Sequence, residues 1–186
     1  MLELLQHIDE HLMMFINISL SNPIFDFLFP ILRNKYTWLP LYLAVIVFLA
    51  LKYKADGWKW IFFLVLTVSL SDYISASIIK QIFERLRPCN NQVFVDQINT
   101  LVHCGRGYSF VSSHAANHFA LGIFSINSLK IKSIRIPIVI WAVTISIAQV
   151  YVGVHYPFDI IMGAFVGILI GYTTSMIHKK YFSIEL

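Results

Sequence analysis

Five stretches of this 186-residue chain stay apolar for about as long as a helix needs to cross a hydrocarbon core, and this limits the fold before anything else does. They are YTWLPLYLAVIVFLAL (36–51), WIFFLVLTVSLSDYISASII (60–79), a stretch from Ser112 to Leu129, IPIVIWAVTISIAQVYVGV (136–154) and PFDIIMGAFVGILIGYTTSMI (157–177). A core of roughly 30 Å takes about 17 to 25 helical residues. Helices are the natural form, because lipid offers the backbone no partner outside its own segment. Pro137 and Pro157 fall in the first turn of their stretches, where a missing N–H does no harm. Only 13% of the residues are charged, against about 25% in a soluble domain, too few to cover a water-facing surface. The expected fold is an all-α integral membrane helical bundle over 36–177, part of a single domain spanning 1–186.

The first 34 residues read differently. LLQHIDEHLMMFINISL is amphipathic and is expected to lie along the membrane interface. A break at SNP and a short apolar piece, IFDFLFPIL, follow. A sixth crossing there is the competing reading, opposed by charged residues at both ends. The start, MLELLQHIDEH, has no basic stretch ahead of an apolar core, so no cleavable signal is expected.

Alternating passes sort the loops into two sides. One side carries Lys52, Lys54, Lys59, Lys130, Lys132, Arg135, Lys179 and Lys180; the other carries Arg33, Lys35, Lys80, Arg85, Arg87 and Arg106. The positive-inside rule makes the first side cytoplasmic, so the long 80–111 loop faces the periplasm or exterior of a bacterial inner membrane. Both cysteines of the chain, Cys89 and Cys104, lie in that loop. In an oxidising compartment they could close a disulfide; two unpaired thiols in a cytoplasmic loop is the alternative. The net charge of +4 is spread over loops and forms no basic face for nucleic acid.

Polar residues converge on the outer side. KQIFERLRP follows the second stretch and spaces Lys80 and Arg87 seven apart, about two turns if the helix continues. Ser112, Ser113 and His114 open the third stretch, AQVYVGVHY closes the fourth, and Asp159 stands at the start of the fifth. Fixed cations, a helix N-terminus and hydroxyl donors suit a phosphoryl group. Two histidines and an aspartate add a nucleophile, a proton donor and a carboxylate that fixes a tautomer.

In these residues the chain resembles the type-2 phosphatidic acid phosphatases, relatives of the vanadium haloperoxidases, whose motifs are KxxxxxxRP, PSGH and SRxxxxxHxxxD. KQIFERLRP (80–88) matches the first throughout. VSSH (111–114) matches the second at Ser112 and His114, and AQVYVGVHYPFD (148–159) matches the third at His155 and Asp159. The resemblance implies that His155 attacks phosphorus and forms a phosphohistidine, that Asp159 orients it, and that His114 protonates the departing oxygen. It implies that Lys80, Arg87, Ser112 and Ser113 hold the nonbridging oxygens, with no metal and no cofactor. Gln149 stands where the family has a phosphate-binding arginine. It brings a hydrogen bond but no charge, and Arg106 in the CGRGY segment is the expected substitute.

The implied activity is hydrolysis of a lipid phosphate or diphosphate at the outer face, with undecaprenyl diphosphate first. Phosphatidylglycerol phosphate, phosphatidic acid and lipid A phosphates are the alternatives, since the motifs read phosphate and not the tail. The partners are the lipid substrate and the bilayer; the sequence does not fix the oligomeric state. A metal-dependent membrane hydrolase could use the histidines of HAANH, but the glutamate of H-E-x-x-H is absent. A lipid transporter could use the same anion site without chemistry. Plainer roles are expected elsewhere: Arg85 as a headgroup anchor, His118 and Asn117 in helix packing, and Asp72 satisfied by Ser69, Ser71 and Ser75. Gly163, Gly167 and Gly171 form a stripe for close helix packing.

Overall fold

A computed structural model describes residues 2–129 and 131–182. Lys130, one of the basic residues counted above, lies outside the described residues. The elements, all helical, are α1 (Leu2–Met14, continued by a π-helical turn Phe15–Ser19), α2 (Pro23–Leu32), α3 (Leu39–Asp72), α4 (Lys80–Phe83), α5 (Ser113–Ser128), α6 (Arg135–Tyr151) and α7 (Pro157–Tyr181).

α3 holds the first two apolar stretches. Lys54 adopts φ 49° and ψ −121°, a break that no helix sustains, and the chain reverses there. The two arms then run so close that a Cβ on Gly57 would strike the carbonyl of Leu49. A π-helical stretch, Tyr73–Ile79, links the second arm to α4. By length and composition, 35–83, 132–151 and 157–181 are able to cross a membrane, the first folded back on itself. α5, at 16 residues, is shorter. Leu51, Phe62, Ile136, Ile161 and Phe165 all point outward with more than half their surface exposed, as lipid-facing residues do.

α5 and α7 share the most extensive helix contact in the molecule, with the second arm of α3 and α6 on either side of α5. The glycine stripe makes this approach. On Gly163 a Cβ would meet the carbonyl of Ser112, on Gly167 that of Ala116, and on Gly171 that of Ala120. Two clusters fill the ends of the bundle. Met13, Phe94, Ile98, Val150, Tyr151, Val154 and Tyr156 pack around the 80–111 loop. Leu49, Trp60, Phe63, Phe124 and Leu129 pack at the opposite end, where the Trp60 indole donates to Ser128 Oγ at 2.7 Å.

The N-terminal segment docks on the protein along one narrow stripe. Asp9, Met13 and Asn17, spaced four apart on one face, are fully buried against protein. Asn17 Nδ2 donates to the carbonyls of Tyr151 (2.6 Å) and Asn99 (2.9 Å), and its Oδ1 accepts from Asn99 N at 2.8 Å. Leu5, Ile8, Leu12 and Phe15 face outward. The buried stripe thus carries two polar side chains and one methionine, while apolar residues and the polar Glu3, Gln6, His7 and His11 share the exposed surface. α1 with its π turn and α2 meet at 116°, a bent pair instead of a straight sixth crossing. Tyr151 Oη reaches across to Asp26 Oδ1 at 2.6 Å and locks α2 onto α6.

Gly167→Ala should gain about 1 kcal/mol in helix propensity yet lose about 1–3 kcal/mol to overpacking, because the atom in the way is backbone. Unfolding in mixed micelles should therefore show a net loss. Gly107→Ala, where a Cβ meets nothing within 4 Å, should leave stability unchanged.

Candidate active site

The turn between α6 and α7 carries the reactive ring. α6 ends at Tyr151, and Gly153 takes a φ of +81° that a side chain would resist, so the chain doubles back within five residues. This turn leaves His155 2% exposed. One helical turn on, Asp159 is fully buried at the start of α7. Its Oδ2 accepts from the Tyr156 backbone N–H (2.8 Å) and faces His155 Nδ1 at 3.3 Å. On the other side of the ring, His155 Nε2 lies 3.3 Å from Arg87 Nη1. A guanidinium only donates, so Nε2 must present its lone pair and the ring proton must sit on Nδ1, toward Asp159. Burial is the main cause lowering the His155 pKa to about 4; Asp159 opposes the shift, while Arg87 and Lys80 add to it. At neutral pH the ring is an uncharged base with its free nitrogen among cations.

Asp159 has a second guardian. Arg85 bridges Asp159 Oδ1 (2.9 Å) and Asp9 Oδ2 (2.7 Å) and lies 3.8 Å over the Tyr156 ring. Asp9 Oδ1 in turn accepts from the Phe158 N–H at 2.8 Å, capping the first turn of α7. Arg85 is thus an internal clamp and not the headgroup anchor expected from the sequence. The two buried carboxylates are what draw it inward.

The remaining cations hang from main-chain carbonyls. Lys80, 7% exposed, donates to the Tyr108 carbonyl at 2.7 Å. Arg87 does not share a helix face with it: Glu84 turns left-handed at φ 48° and ends α4, and the residue before Pro88 is extended. Arg87 reaches the site from the loop, with Nε on the Gly107 carbonyl (2.9 Å) and Nη1 on the Val154 carbonyl (3.2 Å). Cys89 and Cys104 are joined in a disulfide, which holds the 104–108 segment beside Arg87.

α5 brings its N-terminus to the same place. Ser112 is the N-cap, its Oγ accepting from Ala115 N at 3.4 Å and its own N–H donating to the Asp159 carbonyl at 2.9 Å. Among the described residues the buried Ser113 hydroxyl has no protein partner. His114 is the second residue of α5, one turn ahead of His118, and the two rings stack with centroids 6.3 Å apart. His118 Nδ1 donates to the His114 carbonyl at 2.7 Å and its ring packs edge-on against Trp141, a packing role as expected. Asn117 does more than pack. Its Nδ2 donates to Asp72 Oδ1 at 2.8 Å, and this pair, not the neighbouring serines, satisfies that carboxylate.

Gln149 is fully buried and accepts from Arg33 Nε at 3.1 Å. Arg106, the expected partner of this position, is exposed on the loop, and among the described residues it makes no ion pair or side-chain hydrogen bond. The loop is pinned by the disulfide and by carbonyl contacts to Lys80 and Arg87, which leave Arg106 facing outward. In all, Lys80, Arg85, Arg87 and Arg33 confront Asp9 and Asp159, four cations to two carboxylates, and the surplus suits an anion. Among the described residues no group of three or more His, Cys, Asp or Glu stands ready to hold a metal ion. Three contributors, Asp9, Arg33 and Arg85, are not expected from the sequence. The first two come from the N-terminal segment, and only the charged residues flanking its apolar pieces hint at them.

Comparison with known proteins agrees with this geometry. The PAP2 superfamily model matches residues 58–183. A lipid A 4'-phosphatase of Bacteroides thetaiotaomicron is 33% identical over 173 residues, covering 90% of this chain and 75% of that protein. An undecaprenyl-diphosphatase of Sulfolobus acidocaldarius is 28% identical over 146 residues, 78% of this chain and 66% of that one. The crystal structure of a PAP2-type phosphatidylglycerolphosphate phosphatase from Bacillus subtilis shares the fold at a TM-score of 0.70, with 21% identity, covering 95% of this chain and 87% of that chain. With its membrane-spanning helices and its motifs gathered at one end, the chain belongs to the PAP2 superfamily and is a membrane lipid phosphatase.

Proposed function

We propose that the chain removes a phosphate group from a lipid A-type glycolipid at the outer face of the membrane, through a phosphohistidine on His155. The observation that carries the chemistry is the His155 ring itself, its Nδ1 proton directed at Asp159 (3.3 Å) and its Nε2 lone pair at Arg87 (3.3 Å). The choice of lipid rests on the Bacteroides relative, more similar and over more of the chain than the undecaprenyl-diphosphatase. It replaces undecaprenyl diphosphate as the leading substrate.

In this reading Nε2 attacks phosphorus in line and the bond from phosphorus to the lipid oxygen breaks. His114 gives its proton to that oxygen, and the lipid alcohol leaves. His114 then takes a proton from water, the hydroxide attacks phosphorus, and the P–N bond breaks to release inorganic phosphate. Arg87 transfers its hydrogen bond from Nε2 to a phosphoryl oxygen, with Lys80, the α5 N-terminus and the Ser113 hydroxyl around the others. These fixed cations do the work that magnesium does in other phosphoryl transfers.

The outward orientation is supported by charge. Of the six basic residues on the site side, Arg33, Lys80, Arg85 and Arg87 are engaged inside the protein. Lys35 and Arg106 are left to meet the membrane surface, against eight basic residues on the other side. The disulfide favours the same oxidising face.

Purified protein in detergent should release phosphate from lipid A in the presence of EDTA and be inhibited by vanadate; loss of activity in EDTA with recovery on adding zinc would refute the mechanism. His114→Ala should lower turnover about 10²- to 10⁴-fold, and His155→Ala should nearly abolish it. Asp9→Asn should lower kcat roughly tenfold, the effect of about 1.4 kcal/mol on a barrier. KM should stay close to its wild-type value, because Asp9 acts on Asp159 through Arg85 and not on the lipid.

A further inference from the structure

Arg33 is the cation of this site that nothing yet explains. It caps the C-terminus of α2, well outside the 58–183 stretch that matches the family, and is half-buried. Among the described residues no carboxylate pairs with it. Its one side-chain hydrogen bond among the described residues runs from Nε to Gln149 Oε1 at 3.1 Å, which leaves the two terminal nitrogens of the fork without a partner there. Gln149 is held to receive it, since its own amide nitrogen is turned back onto the Ile145 carbonyl at 3.4 Å. Burial, with the Arg87 charge nearby, lowers the Arg33 pKa to about 10, so it stays a cation at neutral pH. Gln149 seats Arg33 on the helix that ends just before His155, the ring Arg87 also reaches, so Arg33 adds there a positive charge with no paired carboxylate that an anion would relieve.

We propose that Arg33 is a substrate-binding residue whose terminal guanidinium nitrogens grip the phosphoryl oxygens during turnover. The cation that the third motif usually supplies from the helix before the reactive histidine comes here from the N-terminal segment instead. Gln149 is then the fitted partner of this arrangement. A glutamine oxygen aligns an incoming guanidinium, whereas an arginine in its place would repel Arg33. The inference rests on the phosphatase reading above for the chemistry of the anion, and goes beyond it in naming the cation and its origin.

The test uses the full-length protein in detergent and two readouts, hydrolysis of lipid A and equilibrium binding of inorganic phosphate or vanadate. Arg33→Ala should weaken phosphate binding and lower kcat/KM by roughly 10- to 100-fold, the size of one lost charge-assisted hydrogen bond. Lys35→Ala, two residues away and exposed, should change neither. Gln149→Arg placed in the Arg33→Ala background should restore a good part of both, because one cation returns to the same corner; in the wild-type background it should bring no gain. If Arg33→Ala is too unstable to purify, phosphate affinity falling in the order Arg, Lys, Gln at position 33 supports the inference, and equal affinity in all three overturns it. Wild-type phosphate affinity in Arg33→Ala would overturn it too, as would a large gain from Gln149→Arg alone. The two proposals can fail separately. Arg33-dependent phosphate binding without hydrolysis of any lipid phosphate would sink the phosphatase reading, whereas hydrolysis with Arg33-independent binding would sink this one.

Discussion

The contact between α5 and α7 governs where the chemistry can sit. Three glycines, one per turn of α7, let the two backbones touch, and Ser112, Ala116 and Ala120 supply the carbonyls they touch. In lipid no hydrophobic drive pushes helices together, so close packing of small residues must do it. At the mouth of this contact the Ser112 N–H meets the Asp159 carbonyl. That one hydrogen bond ties the helix bearing His114 to the helix bearing Asp159, and Asp159 in turn sets the tautomer of His155. Any widening of the seam would move both histidines relative to each other.

The buried carboxylates of this mostly apolar molecule are held by rigid partners. A buried carboxylate left alone would take up a proton or draw in water. Asp159 avoids this with a backbone N–H, a histidine and a guanidinium, and Asp9 with a backbone N–H and the same guanidinium. Lys80 and Arg87 lean on carbonyls of the 107–108 segment and of Val154. Their dipoles orient the cations without cancelling them. The outcome is a preorganised electropositive cup.

Much of this is legible in the sequence because helices in lipid must be long, continuous and apolar, and because polar residues at the ends of such helices are costly unless used. Alternation of spans brings Lys80, Arg87, Ser112, His114, His155 and Asp159 to one end, and the structure gathers them there. What stays hidden depends on tertiary contacts. Arg85 lies in the same KQIFERLRP run as its neighbours, yet its inward turn follows from the left-handed Glu84 and the paired carboxylates, neither of which has a local signature. From sequence Arg106 looks like the partner of Gln149, and in the structure Arg33 takes that place while Arg106 is exposed. Which of two linker arginines turns inward is decided by how the disulfide-closed loop and the α1–α2 bend pack, and spacing along the chain carries no trace of that. The buried stripe of α1 is hidden for the same reason: amphipathicity reveals that a helix has two faces but not which one meets protein.

The amino-terminal segment is therefore part of the site's architecture although it lies ahead of the family-matched stretch. Asp9 of α1 holds Arg85 against Asp159, and Arg33 at the end of α2 reaches the Gln149 oxygen. Cutting that segment away would strip two charged partners from the site while leaving Lys80, Arg87, His114 and His155 in the chain.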